Sequence, residues 1–280
     1  MSEQFDYIGL NRLITTALAE DIGTGDITTI SCVAEDAVSS GRFIAKADGV
    51  VCGAGILARL FYILDHRVHV KVLLGDGAHV NKGDVIAEIE GPARSILTGE
   101  RTALNILQHL SGIATRTDEA VRSIEGYDTK IADTRKTLPG LRVLEKYAVR
   151  CGGGRNHRFN LSDGVLIKDN HIVAAGGIRE AVAAVRKNAP HTLKIEVETE
   201  SIAQIDEALE SGADIIMLDN MTVDQMAEAV RHIAGRAITE ASGNMGDRDL
   251  KQVAATGVDY ISIGALTHSV KALDISLQFK

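Results

Sequence analysis

The sequence has no tryptophan, and aromatic residues fill only 4% of its 280 positions. Its apolar mass, 45% hydrophobic residues, is therefore mostly Ala, Val, Ile and Leu, the usual filling of buried parallel strands. Cysteine is scarce as well. Cys32, Cys52 and Cys151 show no C-x-x-C spacing, which argues against a disulfide framework or a zinc site and predicts a reduced, cytoplasmic protein. Positive charge is in deficit: 30 Lys and Arg against 38 Asp and Glu leave a net charge of -8. A general nucleic-acid binder needs a basic footprint to neutralise phosphate, so no nucleic-acid partner is expected. Long hydrophobic runs are missing too. The stretch ILARLFYIL is broken by Arg59 and is too short to span a bilayer, so no membrane role is expected. The opening MSEQFDYIGL has no basic region followed by a long apolar run, so no signal peptide is expected.

What is present has two rhythms. NRLITTALAEDIG carries Leu10, Ile14 and Leu18 on one helical face. GRFIAKADGVVCG and HRVHVKVLLGDGAHVNKGDVIAEIEGP read as short antiparallel strands with Gly-rich turns. The stretch from Glu90 to Ile124 predicts one or two long helices. From about residue 129 the pattern alternates strictly. Apolar runs TKIAD, GVLIK, TLKIEV, ADIIML, RAITEA and DYISIG are separated by helical segments, the mark of a parallel α/β sheet. The runs are too few for a complete eight-stranded barrel. An incomplete barrel fits best, with an open doubly wound sheet second; no G-x-G-x-x-G follows a strand as a dinucleotide fold requires.

In an α/β barrel the active site lies at the carboxyl ends of the strands. Those ends deliver Thr134-Arg135-Lys136, then Lys168-Asp169-Asn170-His171, Glu196 with Glu198, Asp219-Asn220, Ser242-Gly243-Asn244 and Gly264-Ala265. Side chains alternate along a strand, so Lys194, Glu196 and Glu198 share one face. Three inward charges are not ordinary core, because unpaired buried charge is costly. They pair with one another or line a wet mouth. Arg135, Lys136, Arg158 and Lys168 suit anionic substrates, with Arg favoured for planar carboxylates. Glu198 and Asp219 suit a divalent metal that bridges phosphate oxygens, or a positive charge developing at a sugar carbon. The SGN and IGA segments suit a phosphate cradle.

Plainer readings stand beside these. Arg142, Lys146 and Arg150 are spaced four apart on LRVLEKYAVR, which predicts a solvated helix face opposite Leu141, Leu144 and Ala148. Pro139 fits the first turn of that helix and Gly152 its end. Gly152-Gly153-Gly154 is either a C-cap and link or a loop shaped around a ligand, and His157 is either structural or a ligand contact. Lys82, before Gly83-Asp84, resembles a carrier-module lysine but lacks the flanking motif and reads as a β-turn residue. Lys168 at a strand end also permits a Schiff-base aldolase.

DTRKTLPGLRVLEKYAVRCGGGRNHRFNLSDGVLIKDNHI strongly resembles the quinolinate phosphoribosyltransferase family. EDIGTGDITT, GERTALNILQHLSGIAT, KIEVET, MLDN, EASGNM and ISIGALTHS support it, in order along nearly the whole chain. The resemblance implies an N-terminal α/β sandwich domain, 1–110 with 270–280, joined to an incomplete, seven-stranded α/β barrel, 111–269. It implies transfer of phosphoribosyl from phosphoribosyl pyrophosphate (PRPP) to quinolinate with decarboxylation, using Mg2+ and no organic cofactor. Arg135, His157 and Arg158 match the family's carboxylate pocket. Lys136 and Lys168 match lysines facing the two substrates. Glu198 and Asp219 match the acidic pair near ribose and metal, so Lys136, Glu198 and Asp219 are the implied catalytic residues. Ser242, Gly243 and Gly264 match phosphate-binding turns. Arg101 matches an arginine donated by a neighbouring subunit, which implies a homodimer with shared active sites. Where many members read S-G-G, this chain reads Ser242-Gly243-Asn244. A paralogue with another acceptor is the nearest rival.

Overall fold

The computed structural model describes residues 8–279. The chain divides into two compact units: residues 1–116 with 151–153 and 270–280, and residues 117–150 with 154–269.

The first unit opens with helices α1 (Ile8–Ile22) and α2 (Ile27–Cys32). Strands β1 (Val38–Ala45) and β2 (Gly49–Val50), helix α3 (Ala54–Leu64) and strands β3 (His69–Val72), β4 (His79–Val80) and β5 (Val85–Pro92) follow. Helix α4 (Ala93–Ser123) is one continuous helix of 31 residues, and the division between the units falls within it. Leu10, Ile14 and Leu18 are all buried, as their helical spacing requires. Phe43 and Phe61 are fully buried, with ring centroids 6.5 Å apart.

The second unit repeats strand and helix. Its strands are β6 (Lys130–Ala132), β7 (Val165–Ile167), β8 (Ile195–Thr199), β9 (Ile215–Asp219), β10 (Ile238–Ser242) and β11 (Tyr260–Ser262). Its helices are α5 (Arg142–Cys151, whose last residue groups with the first unit), α6 (Asp169–Ala175), α7 (Ile178–Asn188), α8 (Ile202–Glu210), α9 (Val223–Ile233), α10 (Leu250–Ala254) and α11 (Ala265–His268). The helices are locally specified. In α9, Thr222 and Gln225 form a capping box, and Met226, Ala229 and Ile233 make the buried stripe. The final strand, β12 (Ile275–Phe279), belongs to the first unit, where it completes an antiparallel sheet of order β12-β1-β5-β3 beside a β2-β4 pair.

The parallel sheet of the second unit has six strands in the order β6-β11-β10-β9-β8-β7. Strand β6, the first of this sheet in chain order, pairs with β11, its last, so the sheet curls as a barrel does and stays open between β6 and β7. The seventh strand that the family resemblance implies is reduced to a single parallel bridge, Ala132 with Arg155, on the free edge of β6. Arg155 N–H donates to Ile131 O at 2.8 Å, and Asp133 N–H donates to Arg155 O at 3.1 Å. The glycine-rich segment just before Arg155 has no side chains to support a longer pleated strand.

Candidate active site

The carboxyl ends of the parallel strands surround a cavity of about 610 Å³. Its lining includes Arg135, Lys136, His157, Arg158, Lys168, Glu198, Asp219, Ser242 and Gly243. Gly264 is not in the lining, yet a Cβ there would meet Lys136 Cδ at 2.9 Å, so the glycine makes room for that lysine. Arg101 lies exposed on α4 in the first unit.

Each rim residue has a positional cause. Lys168 follows β7 and N-caps α6, and its Nζ donates to Glu198 Oε1 at 2.8 Å. Asp219 ends β9 and accepts from Asn220 Nδ2 at 2.7 Å. Ser242 ends β10, and its carbonyl accepts the Asn220 N–H at 3.1 Å. That crossing fixes Gly243. Its φ is +98°, and a Cβ would stand 2.8 Å from Asn220 N and press on Asn220 Oδ1, so only glycine fits. Thr267 Oγ1 donates to the Lys136 carbonyl at 2.8 Å and holds that lysine's backbone.

One cation of the site has a donor to spare. Arg135 Nε is buried without a hydrogen-bond partner. Burial, and then the nearby Arg135, hold the Arg158 guanidinium below its ordinary value; one Arg158 nitrogen donates to Gly164 O at 2.9 Å. Two half-buried guanidiniums within electrostatic reach of one another are unfavourable until an anion joins them.

The floor of the barrel has the opposite sign. Glu196 and Glu240 are 3% and 5% exposed, and each keeps one buried oxygen, Oε1, without a hydrogen-bond partner. Between them stands His157, its Nε2 3.0 Å from Glu196 Oε2 and 3.7 Å from Glu240 Oε1. Its Nδ1 accepts the Arg158 N–H at 2.8 Å. Burial alone pulls the imidazole down, but the two glutamates outweigh it and raise it overall. The N–H aimed at Nδ1 suits the tautomer with its proton on Nε2, which then donates to Glu196 Oε2. Both ring nitrogens are thus engaged within the protein. Burial, and then Glu196, push the Glu240 carboxyl up to about 7. A second cavity of about 540 Å³ opens at the amino ends of the strands, and His157, Arg158 and Glu240 line both.

Three sequence expectations change. Lys146 is not on a solvated face: it is fully buried and paired with Asp133, also fully buried. Lys146 Nζ donates to His157 O at 2.9 Å, while Asp133 also accepts from Asn156 Nδ2 at 2.6 Å and His157 N at 2.8 Å. Burial pushes Asp133 up and Lys146 down, each toward its neutral form, and these converging donors oppose that drift at the carboxylate. Arg142 is half-buried as well, bonded to Thr137 Oγ1 and Phe159 O, so only Arg150 of that set is exposed. Pro139 lies before the helix, in a turn where Gly140 has φ +82° and Leu141 N donates to Leu138 O at 3.1 Å. Lys194 does not join Glu196 and Glu198; it precedes β8, is exposed and lines the second cavity. Glu240 was not singled out from the sequence. Its signal was there, because it shares a strand face with Ser242.

Glu198 and Asp219 sit on neighbouring strands and belong to no cluster of three potential metal ligands among the described residues. That suits Mg2+, which takes one or two carboxylates and fills its octahedron with phosphate oxygens and water.

Comparison with known proteins covers nearly the whole chain. Family models described as quinolinate phosphoribosyl transferase, N-terminal and C-terminal domains, match residues 26–111 and 113–278. A Bacillus subtilis protein named probable nicotinate-nucleotide pyrophosphorylase [carboxylating] is 48% identical over 97% of this chain and 94% of its own. A Nicotiana tabacum protein named quinolinate phosphoribosyltransferase [decarboxylating] 2a is 42% identical over 98% of this chain and 82% of its own. A crystal structure of nicotinate-nucleotide pyrophosphorylase from Ehrlichia chaffeensis covers 100% of both chains at 40% identity, with a TM-score of 0.93. On these matches, the chain belongs to the quinolinate phosphoribosyl transferase family.

Proposed function

We infer that the chain transfers phosphoribosyl from PRPP to quinolinate with decarboxylation, giving nicotinate mononucleotide, pyrophosphate and CO2. The carrying observation is the cavity's electrostatics: Arg135, with a buried and unpartnered Nε, stands near a half-buried Arg158. Quinolinate is a planar dicarboxylate, and bidentate guanidinium contacts suit it. In this reading Lys136 and Lys168 face the two substrates across the rim. With both His157 nitrogens engaged, that residue shapes the pocket wall with its ring and holds Arg158 through Nδ1. Ser242, Gly243 and Gly264 present small turns to phosphate.

The ring nitrogen attacks C1 of the ribose; the C1–N bond forms as the bond to pyrophosphate breaks. Positive charge develops at C1, and the carboxylates of Glu198 and Asp219 stabilise it more in the transition state than in the ground state. Mg2+ held beside these two carboxylates would neutralise pyrophosphate. The bond from C2 to its carboxyl then breaks, CO2 leaves, and the positive ring nitrogen stabilises the carbanion until a solvent proton replaces the carboxyl. No separate organic cofactor enters this scheme. A homodimer in which Arg101 reaches the partner's site, and a cytoplasmic location, complete the reading. Among the described residues no helix is long and apolar enough to cross a membrane.

The direct test is a steady-state assay with PRPP and quinolinate, nicotinate or other acceptors, following pyrophosphate and CO2. Turnover with nicotinate but not quinolinate would sink the assignment. For shared sites, Arg101→Ala and Lys136→Ala proteins, each inactive alone, are expected to regain activity when mixed. Failure to complement, with subunit exchange confirmed, counts against them. An aldolase reading fits less well: Lys168 is 46% exposed and held by Glu198, whereas a Schiff-base lysine needs desolvation.

A further inference from the structure

The three cysteines suggested no metal site from their spacing. The fold nevertheless brings two of them together. In the first unit, Cys52, Cys151 and Asp76 place one ligand atom each within 4.8 Å of one another. Cys52 is fully buried, and Cys151 and Asp76 are half-buried. Neither cysteine is in a disulfide.

The surroundings hold these donors in place. The Cys52 backbone is clamped at both ends by one buried hydroxyl: its N–H donates to Ser111 Oγ at 3.0 Å, and Ser111 Oγ donates to its carbonyl at 3.2 Å. The next residue, Gly53, has φ +98° and turns the chain directly into α3. Asp76 Oδ1 accepts the N–H groups of Gly53 and Ala54, at 2.9 and 2.8 Å, which fixes its carboxylate at the start of that helix. Cys151, the last residue of α5, has its carbonyl against Gly77. Metal sites are built this way, with ligands oriented by a surrounding layer of hydrogen bonds.

We propose that Cys52, Cys151 and Asp76 form a binding site for a thiophilic divalent cation of the Zn2+ type, separate from the substrate cavity. Two thiolates and a carboxylate are a borderline-soft donor set, which selects Zn2+ over Mg2+ or Ca2+. Three protein ligands leave one tetrahedral position for water. On binding, two S–H bonds break, two sulfur–metal bonds form, and both protons pass to solvent. Protons compete with the cation for both thiolates, so binding weakens as pH falls.

The probe is Co2+, titrated anaerobically into the reduced, metal-stripped full-length protein. Expected are a sulfur-to-cobalt charge-transfer band, its displacement by Zn2+, and acidification of a weakly buffered sample. Cys52→Ser and Cys151→Ser are each expected to abolish the band, and Asp76→Asn to weaken binding at least about tenfold. Cys32→Ser leaves the band intact, since Cys32 is exposed and outside the cluster. Should Cys52→Ser not fold, protection of Cys151 from alkylation by Zn2+ in the wild-type protein reads the same contact. The proposal is overturned by a folded, reduced wild-type protein that shows no charge-transfer band. It is equally overturned by a band that survives both serine variants, or by cysteines that only join as a disulfide and bind no Co2+ once reduced.

Discussion

Lys146 and the pair Arg135 and Arg158 come from one short stretch of chain, and the fold treats them in opposite ways. Lys146 is fully buried and saturated, by the Asp133 carboxylate and the His157 carbonyl. Arg135 and Arg158 are half-buried, line one cavity within electrostatic reach of each other, and leave Arg135 Nε without a partner. A count of positive charges does not separate them; partner saturation does. A cation whose donors are used inside the protein is architecture, and one that lines a cavity with a donor to spare awaits a ligand.

The largest expected effect tests the first half of this contrast. Lys146→Ala leaves Asp133 buried and uncompensated, and breaking such a pair costs about 3–5 kcal/mol. Urea unfolding should show that loss, together with loosening of the loop that carries His157, because Asp133 also holds the His157 N–H and Asn156. A variant as stable as the parent would mean that Lys146 is not a brace for that loop.

Arg158→Ala tests the other half. A charge-assisted contact with a substrate carboxylate is worth about 1.5–3 kcal/mol. KM for quinolinate is therefore expected to rise by about tenfold to a hundredfold. The same variant loses one bond to Gly164 O and relieves the repulsion with Arg135, so its stability should change by no more than about 1 kcal/mol. A stability loss as large as that of Lys146→Ala, with KM unmoved, would erase the distinction.

Why one half was legible in the sequence and the other was not has a physical answer. Lys168, Glu198, Asp219 and Ser242 were found because strand alternation and the barrel rule act over a few residues, and all four do line the cavity. The parallel sheet with its intervening helices was legible for the same reason. Lys146 misled because spacing on a helix specifies a face, not what that face meets; its partner Asp133 follows a strand earlier in the chain. Cys52 and Cys151 were opaque for a stronger version of that reason, since nothing local links the residue before the turn into α3 to the end of α5. Glu240 was legible and passed over, hidden in a run read only for its last residues.

Glu240 sharpens the contrast from the acidic side, as a buried carboxyl whose Oε1 has no donor. Its value in the folded protein is about 7, against an ordinary 4.5. The folded state therefore holds the proton more tightly than the unfolded state. Below about 4.5 both states are protonated and the full contribution to stability is present; it is lost as pH rises toward 7, and the curve is flat above. Glu240→Gln should remove that slope from urea midpoints measured across the window. An unchanged slope would assign it to other groups.

The smallest expected effect returns to the helix. Arg150 lies four residues after Lys146, carries the same charge, and is exposed, with its guanidinium carbon 5.6 Å from the centre of the Tyr147 ring. Such an exposed cation–π contact is worth about 0.5–1 kcal/mol. Arg150→Ala should cost no more than that in unfolding free energy and leave KM for quinolinate unchanged. Set beside Lys146→Ala, it isolates one variable. Both residues sit on α5 at solvated-face spacing, and only one of them meets a buried carboxylate. If the two variants proved equally damaging, the helix would be sensitive to any lost cation, and the saturation argument would fail for the whole stretch.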